Sequence, residues 1–394
     1  MDLSDLTVLD FTHLLPGPYA TQLLADAGAD VIKVEPPGGD PARHLAFGDG
    51  SGGTDRVPPG TLFPLLNRGK RSLVLDLKAE GVERALVPLF DSADVVIEQS
   101  RPGVADRLGI GEADVREHAP DVVYCSLTGY GQTGPWADRV GHDLNYVGEA
   151  GLLDATRASP DDPPVIPGVP VADMAGGLVA AFSTVSALLS RELGTTSGEY
   201  VDVSLTDAAL SMEQVFAASA LFGGTPRAGD TPLTGGQPCY DVYECADGRY
   251  LTVAALEPKF WAALCERLDH DELRDEHLAT DPATREAVRN TLAETFGSRP
   301  REAWLEVFDD GEIPVGPVRS VAEAMAAPAF RDRGAVREGG EGLHPRLGFP
   351  AAGEVTAEMA PPPEPGADTD AILAEAGLDR SVRDSLAEKG VFGG

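Results

Sequence analysis

Apolar and polar positions along this chain repeat in two rhythms. In the first third, short apolar runs recur with helical stretches between them: TVLDF (7–11), DVIKVE (30–35), SLVLDL (72–77), DVVIEQ (94–99) and DVVYCSL (121–127). Several are continuous rather than alternating, as expected of strands covered on both faces. The intervening stretches carry helical signals: Gly17-Pro18 opens one, TQLLADAG closes it at Gly28, and others fall near 80–91 and 111–118. Strand and helix in alternation predict the α/β class, with a parallel, Rossmann-like sheet. The first strand runs into THLLPGP instead of G-x-G-x-x-G, which disfavours a nicotinamide-dependent dehydrogenase.

Further along, an apolar helix is predicted from Asp173 to about Leu193, stopped by Gly194. Its longest apolar segment, 176–189, reads as too short and too rich in Ser, Thr and Gly to span a bilayer. EYVDVSL (199–205) reads as a strand, TDAALSMEQVFAASALF (206–222) as one helix, and 223–236 as a linker. The rhythm then changes. CYDVYEC (239–245) and RYLTVAAL (249–256) alternate strictly and are joined by ADG, a hairpin signal. Helices follow near 259–268, 283–297 and 301–309, and the tail holds a proline cluster at 361–365 and two short helices.

Charge narrows the possible partners. With 31 Lys+Arg against 64 Asp+Glu among 394 residues, the formal net charge is −33. A surface this acidic repels itself unless salt screens it, so a halophilic protein of a very salty cytoplasm is expected. Nucleic acid and anionic membranes are poor partners for such a field. Cys125, Cys239, Cys245 and Cys265 lack metal-ligand spacing and read as small buried residues, so neither a metal site nor a disulfide framework is expected. MDLSDLTVLDF carries no basic region followed by an apolar run, and GVFGG is no peroxisomal address, which predicts a soluble, cytoplasmic protein.

Candidate chemistry starts at GHDLNYVGEAG (141–151). Taken alone, His142 reads as a structural hydrogen-bonder and Asp143 as a cap for the following helix. Asp173, just before an apolar helix, reads as an N-cap, and Glu257 before Pro258 as a helix start.

Longer stretches carry a resemblance. VLDFTHLLPGPYATQLLADAGADVIKVEPPGGDP, NRGKRSLVLDLK, SRPGVADRLGIG and SLTGYGQTGPW resemble successive signatures of the family III CoA-transferase superfamily. GHDLNYVGEAG, PGVPVADMAGG, GGQPCYDVYECADGRYLTVAALEPKFW and PGADTDAILAEAG continue it, with the α-methylacyl-CoA racemase branch nearest. The resemblance implies a Rossmann-like large domain formed by both chain ends (1–222 and 331–394), a smaller α+β domain (223–330) and an interlocked homodimer. Its active sites would lie between large and small domains and use both subunits.

By the same resemblance, His142, Asp173 and Glu257 are catalytic. Racemisation through a planar enolate needs a proton acceptor on one face and a donor on the other. Imidazole supplies one and a tuned carboxylate the other, while Glu257, from the partner subunit, would orient the imidazole. The substrate is an acyl-CoA thioester, with coenzyme A as part of the substrate and no tightly bound cofactor. Arg107 matches a phosphate-contacting arginine; Lys78, Gln99 and Leu108 match positions near the nucleotide; Leu14 and Leu15 match the segment along adenine and pantetheine. One departure is plain: where many relatives carry arginine after the second strand, Glu35 is followed by Pro36 and Pro37. Arg43, Lys70 or Arg71 would then take over the phosphate. In a CoA-transferase, Asp173 would instead be the nucleophile, forming an anhydride and then an aspartyl-CoA thioester, with GGQP (235–238) as part of a shielding loop. A non-catalytic CoA-binding protein is the third possibility.

Overall fold

Six strands take up the apolar runs of the first half: β1 Thr7–Phe11, β2 Asp30–Glu35, β3 Arg71–Val74, β4 Val95–Glu98, β5 Val123–Thr128 and β6 Glu199–Ser204. The computed structural model describes residues 2–45, 59–337, 346–347 and 361–393. The six strands form one sheet in the order β3-β2-β1-β4-β5-β6, and every pairing is parallel. Their continuous apolar character has the expected cause: Leu9, Val31, Leu73, Val96, Ile97 and Val123 are all fully buried. Each such side chain contributes about 1.5–3 kcal/mol by leaving water. Strand order reverses between β1 and β4. The crevice beyond the carboxyl ends of strands at such a reversal is where open α/β sheets take their ligands.

The chain divides into two units. The first comprises Met1–Ala150, Val169–Met212 and Pro328–Gly394, so both chain ends build it. The tail is tied in specifically: the Asp76 N–H donates to Val391 O at 2.8 Å, and the Ser72 N–H to Asp368 Oδ2 at 2.9 Å. Ile372, Leu373, Leu386 and Val391 share one apolar cluster with Leu9, Leu73 and Val96.

The second unit comprises Gly151–Gly168 and Glu213–Ala327. Its sheet is antiparallel in the order β7 Tyr240–Glu244, β8 Tyr250–Ala254 and β9 Val315–Pro317, the hairpin turning at Gly248 with φ +74°. Trp261, Phe296 and Trp304 fill its core, both indoles donating to main-chain carbonyls (Leu273 O at 2.9 Å, Phe296 O at 2.8 Å).

Several expectations need correction. The boundary placed at 222/223 falls at 212/213, because 206–222 is not one helix. It breaks into Leu205–Ser211 and Gln214–Leu221. Residues 151–168 join the second unit, and the return to the first begins at 328 rather than 331. The 176–189 segment belongs to a 22-residue helix, Val171–Glu192, long and apolar enough to cross a membrane by length and composition. This helix packs on β5, β6 and the helix Pro16–Asp26. Two glycines permit the close approach: a Cβ at Gly176 would run into Leu205 Cδ2, and one at Gly177 would lie 2.7 Å from Pro16 O.

Candidate active site

His142 and Asp173 stand on two adjoining helices of the first unit. His142 is the N-cap of the helix Asp143–Glu149, and its backbone N–H donates to Asn145 Oδ1 at 3.1 Å. Gly141 is required there by space, since a Cβ would lie 2.8 Å from the Tyr146 ring. The imidazole is exposed and makes no hydrogen bond among the described residues, so both ring nitrogens are open to a ligand.

Asp173 is not an N-cap. Pro170 holds that position, and Asp173 lies in the first turn of Val171–Glu192. Nor does Asp143 cap its own helix. It is the first helical residue, and its Oδ1 accepts the Asp173 N–H at 3.0 Å, joining the His142 helix to the Asp173 helix. That bond satisfies one orphan donor of the long helix. It also sets a second carboxylate beside Asp173. Burial, with the Asp143 charge next, pushes the Asp173 carboxyl up to about 7. Reading Asp143 as an ordinary cap therefore misses its effect. The signal was present in the His-Asp pair, but the partner lies thirty residues on.

The loop after β1 lies at the strand-order reversal. Leu14 takes φ +67°, and its N–H donates to Asp40 Oδ1 at 3.2 Å; a bulky residue holds such a conformation only when its surroundings fix it. Leu15 precedes the helix Pro16–Asp26, and Gln99 Oε1 accepts the Gly17 N–H at 3.1 Å, linking the loops after β1 and β4. Lys78 and Arg107 are exposed, and no ion pair reaches either among the described residues. Glu112, a candidate partner for Arg107, is taken by Arg116 at 2.7 Å. Arg107 ends the short helix Val104–Arg107, with half-buried Leu108 next.

The three cations considered as replacements at Pro36 are otherwise engaged. Lys70 is sealed in the core, bonded to Asp10 at 3.1 Å, Thr21 at 2.7 Å and Asn67 at 2.9 Å. Burial, against the opposing pull of Asp10, lowers its pKa to about 8. Freeing it for a phosphate would strand the buried Asp10, which also faces Lys33 at 3.8 Å. Arg43 forks onto Glu35 at 2.7 and 2.8 Å and lies over the Phe63 ring. Arg71 is shared between Asp30 and Glu375. Lys70 is thus removed from the CoA-contacting set, and Arg43 and Arg71 already hold carboxylates.

Glu257 belongs to the second unit. It is exposed and N-caps Pro258–Arg267 through its carbonyl, which accepts from the N–H groups of Phe260 and Trp261. In the same unit, Arg289 and Arg285 donate to Gly235 O (2.6 Å) and Gly236 O (3.1 Å), pinning the GGQP segment. The four cysteines are buried and free, and no metal-ligating cluster occurs among the described residues.

Comparison with known proteins places this geometry. The model of CoA-transferase family III matches residues 3–369. The succinyl-CoA:mesaconate CoA-transferase of Haloarcula marismortui is 35% identical over 84% of each chain. The α-methylacyl-CoA racemase of Homo sapiens is 30% identical over 85% of this chain and 82% of its own. A crystal structure of a CAIB/BAIF family protein from Brucella suis superimposes with a TM-score of 0.80 at 32% identity, covering 94% of this chain and 98% of that one. A parallel sheet with its reversal at β1/β4, an acidic residue opening the long helix and a match across nearly the whole length agree: this chain belongs to CoA-transferase family III.

Proposed function

We propose that the protein inverts the α-carbon of a 2-methylacyl-CoA by moving a proton between His142 and Asp173. The observation that carries this reading is the Asp173 carboxyl, held near 7 by burial and by the adjoining Asp143 carboxylate. An acid–base group works best when its pKa lies near the working pH, and an ordinary aspartate is too acidic to donate there. Neutral His142 takes the α-proton from one face, leaving an imidazolium and a planar enolate. Protonated Asp173 then donates to the opposite face and becomes a carboxylate. The reverse passage starts from that carboxylate and the imidazolium; a second passage in the same direction follows once the imidazolium has released its proton to water and Asp173 has taken one up. Glu257, supplied by a second copy of the chain, would orient and stabilise the imidazolium. Arg107 and Lys78, cationic and unpaired among the described residues, would hold CoA phosphates while Leu14, Leu15 and Gln99 line its path.

A second reading makes Asp173 the nucleophile of a CoA transfer, and the Haloarcula relative favours it. It requires the carboxylate to be ionised, which a group titrating near 7 supplies in part at neutral pH, and it leaves His142 without a task. One enantiomer of a 2-methylacyl-CoA at high KCl, followed by chiral chromatography, separates the readings when succinyl-CoA plus a free carboxylic acid is run in parallel. Inversion without transfer is the expected result. Transfer with an Asp173–CoA adduct in the mass spectrum would replace the first reading by the second.

A further inference from the structure

We propose that Asn145 donates a hydrogen bond from its side-chain amide to the thioester oxygen of the acyl-CoA as that oxygen becomes negative. The proposal rests on His142 facing the reacting end of the acyl-CoA, as argued above, and adds a catalytic group to that site. When the imidazole takes the α-proton, the electron pair of the broken C–H bond forms a carbon–carbon double bond. The carbonyl π pair moves onto oxygen, and the thioester becomes an enolate. A fixed donor aimed at that oxygen stabilises the enolate more than the thioester and so lowers the barrier, without giving up its own proton.

His142 and Asn145 line one cavity of about 390 Å³ in the first unit, a size that suits a small-molecule site. Asn145 lies three residues after His142, in the first turn of the helix Asp143–Glu149. The His142 backbone N–H donates to Asn145 Oδ1 at 3.1 Å. That bond decides which way the amide points. Its oxygen is engaged, so Nδ2 is the end left over, and it has no acceptor among the described residues. Neighbouring donors on the cavity wall are committed. Tyr146 Oη donates to Gly141 O, and Arg139 pairs with Glu149 at 3.1 Å while lying 4.9 Å over the Trp136 ring. Gly141 keeps the space beside Asn145 open, since a Cβ there would lie 3.3 Å from Asn145 Cβ and 2.8 Å from the Tyr146 ring. A neutral amide also suits the chemistry. It donates at every working pH, whereas a cation in its place would oppose the imidazolium that His142 becomes.

Asn145→Asp and Asn145→Ala, each in the whole protein, separate this role from helix capping. Aspartate keeps an oxygen for the His142 N–H and loses the donor; alanine loses both. Deuterium wash-in from a 2-methylacyl-CoA should fall about 100-fold in kcat in both variants, with KM little changed. Rates are compared at the optimum of each pH profile, because a new carboxylate beside His142 shifts its titration. The infrared carbonyl stretch of bound isobutyryl-CoA, isotopically labelled at the thioester carbon, supplies a readout that needs no turnover. It should lie at higher wavenumber in both variants than in wild type. A role in capping alone predicts an active Asn145→Asp and a carbonyl band that neither variant moves, and either result would overturn the proposal. A band that moves in both variants of a protein with no wild-type exchange would keep the donor and discard proton transfer between His142 and Asp173 instead.

Discussion

At the residue scale, Asp173 matters for what surrounds it more than for its position. An isolated aspartate ionises near 4, but burial and the Asp143 carboxylate raise this one to about 7. The shift carries a stability consequence with a definite sign. Between about 4 and 7 the folded state keeps a proton that the unfolded chain has lost, so stability falls as pH rises through that window. The slope is about 1.4 kcal/mol per pH unit where the two states differ by one whole proton. Asp173→Asn removes the group. Denaturant unfolding should then show this variant matching wild type near pH 4 and exceeding it near pH 8; a parallel pH dependence of the two proteins would refute the raised value. None of this could be read from VADMAGG, which shows an acid before an apolar helix but not the carboxylate that docks on it. His142 and Asp173 were legible as residues; their coupling through Asp143 was not, because it is a contact between distant segments.

At the scale of elements, the six parallel strands were legible because burial on both faces writes itself into composition. The short β9 and the break at 212 were not. Val315–Pro317 is three residues long and gains strand geometry only by pairing with β8, and the break falls where the chain leaves one unit for the other. The helix Val171–Glu192 shows a second limit. Its length follows from its apolar content, yet its two faces have separate tasks. Ala180, Ala181, Thr184 and Leu188 are buried within the unit, whereas Leu178, Phe182, Val185 and Leu189 form an exposed stripe at helical spacing, Phe182 being 74% exposed. A large apolar stripe left in water marks a surface that is covered in the working assembly. We propose that a second copy of the chain supplies the cover. Sedimentation of Phe182→Glu should therefore give monomer where wild type gives dimer, with far-UV circular dichroism unchanged; a wild-type monomer, or a dimeric Phe182→Glu, would remove this helix from the interface.

At the scale of the whole molecule, a net charge of −33 makes each local gathering of cations informative. Lys33 and Lys70 are buried against Asp10 and Asp40 beneath the Leu14 turn, whereas Arg101, Lys78 and Arg107 are left without carboxylate partners among the described residues. The first group fixes a loop at the strand-order reversal, and the second is available to an anionic ligand. CoA-transferase family III was legible from motifs spread along the chain; three of those in the first unit follow β1, β4 and β5, whose carboxyl ends the parallel sheet brings to one edge. The reaction was less so, since one scaffold places an aspartate where either a nucleophile or a proton donor is needed. The central claim is that His142 and Asp173 serve opposite faces of one α-carbon. Deuterium wash-in at that carbon, measured separately from each enantiomer of a 2-methylacyl-CoA in D2O at high KCl, tests it most directly. His142→Ala should keep exchange from one enantiomer and Asp173→Asn from the other, with inversion lost in both. Exchange lost from both enantiomers in each variant, or retained from both, would contradict the two-base account.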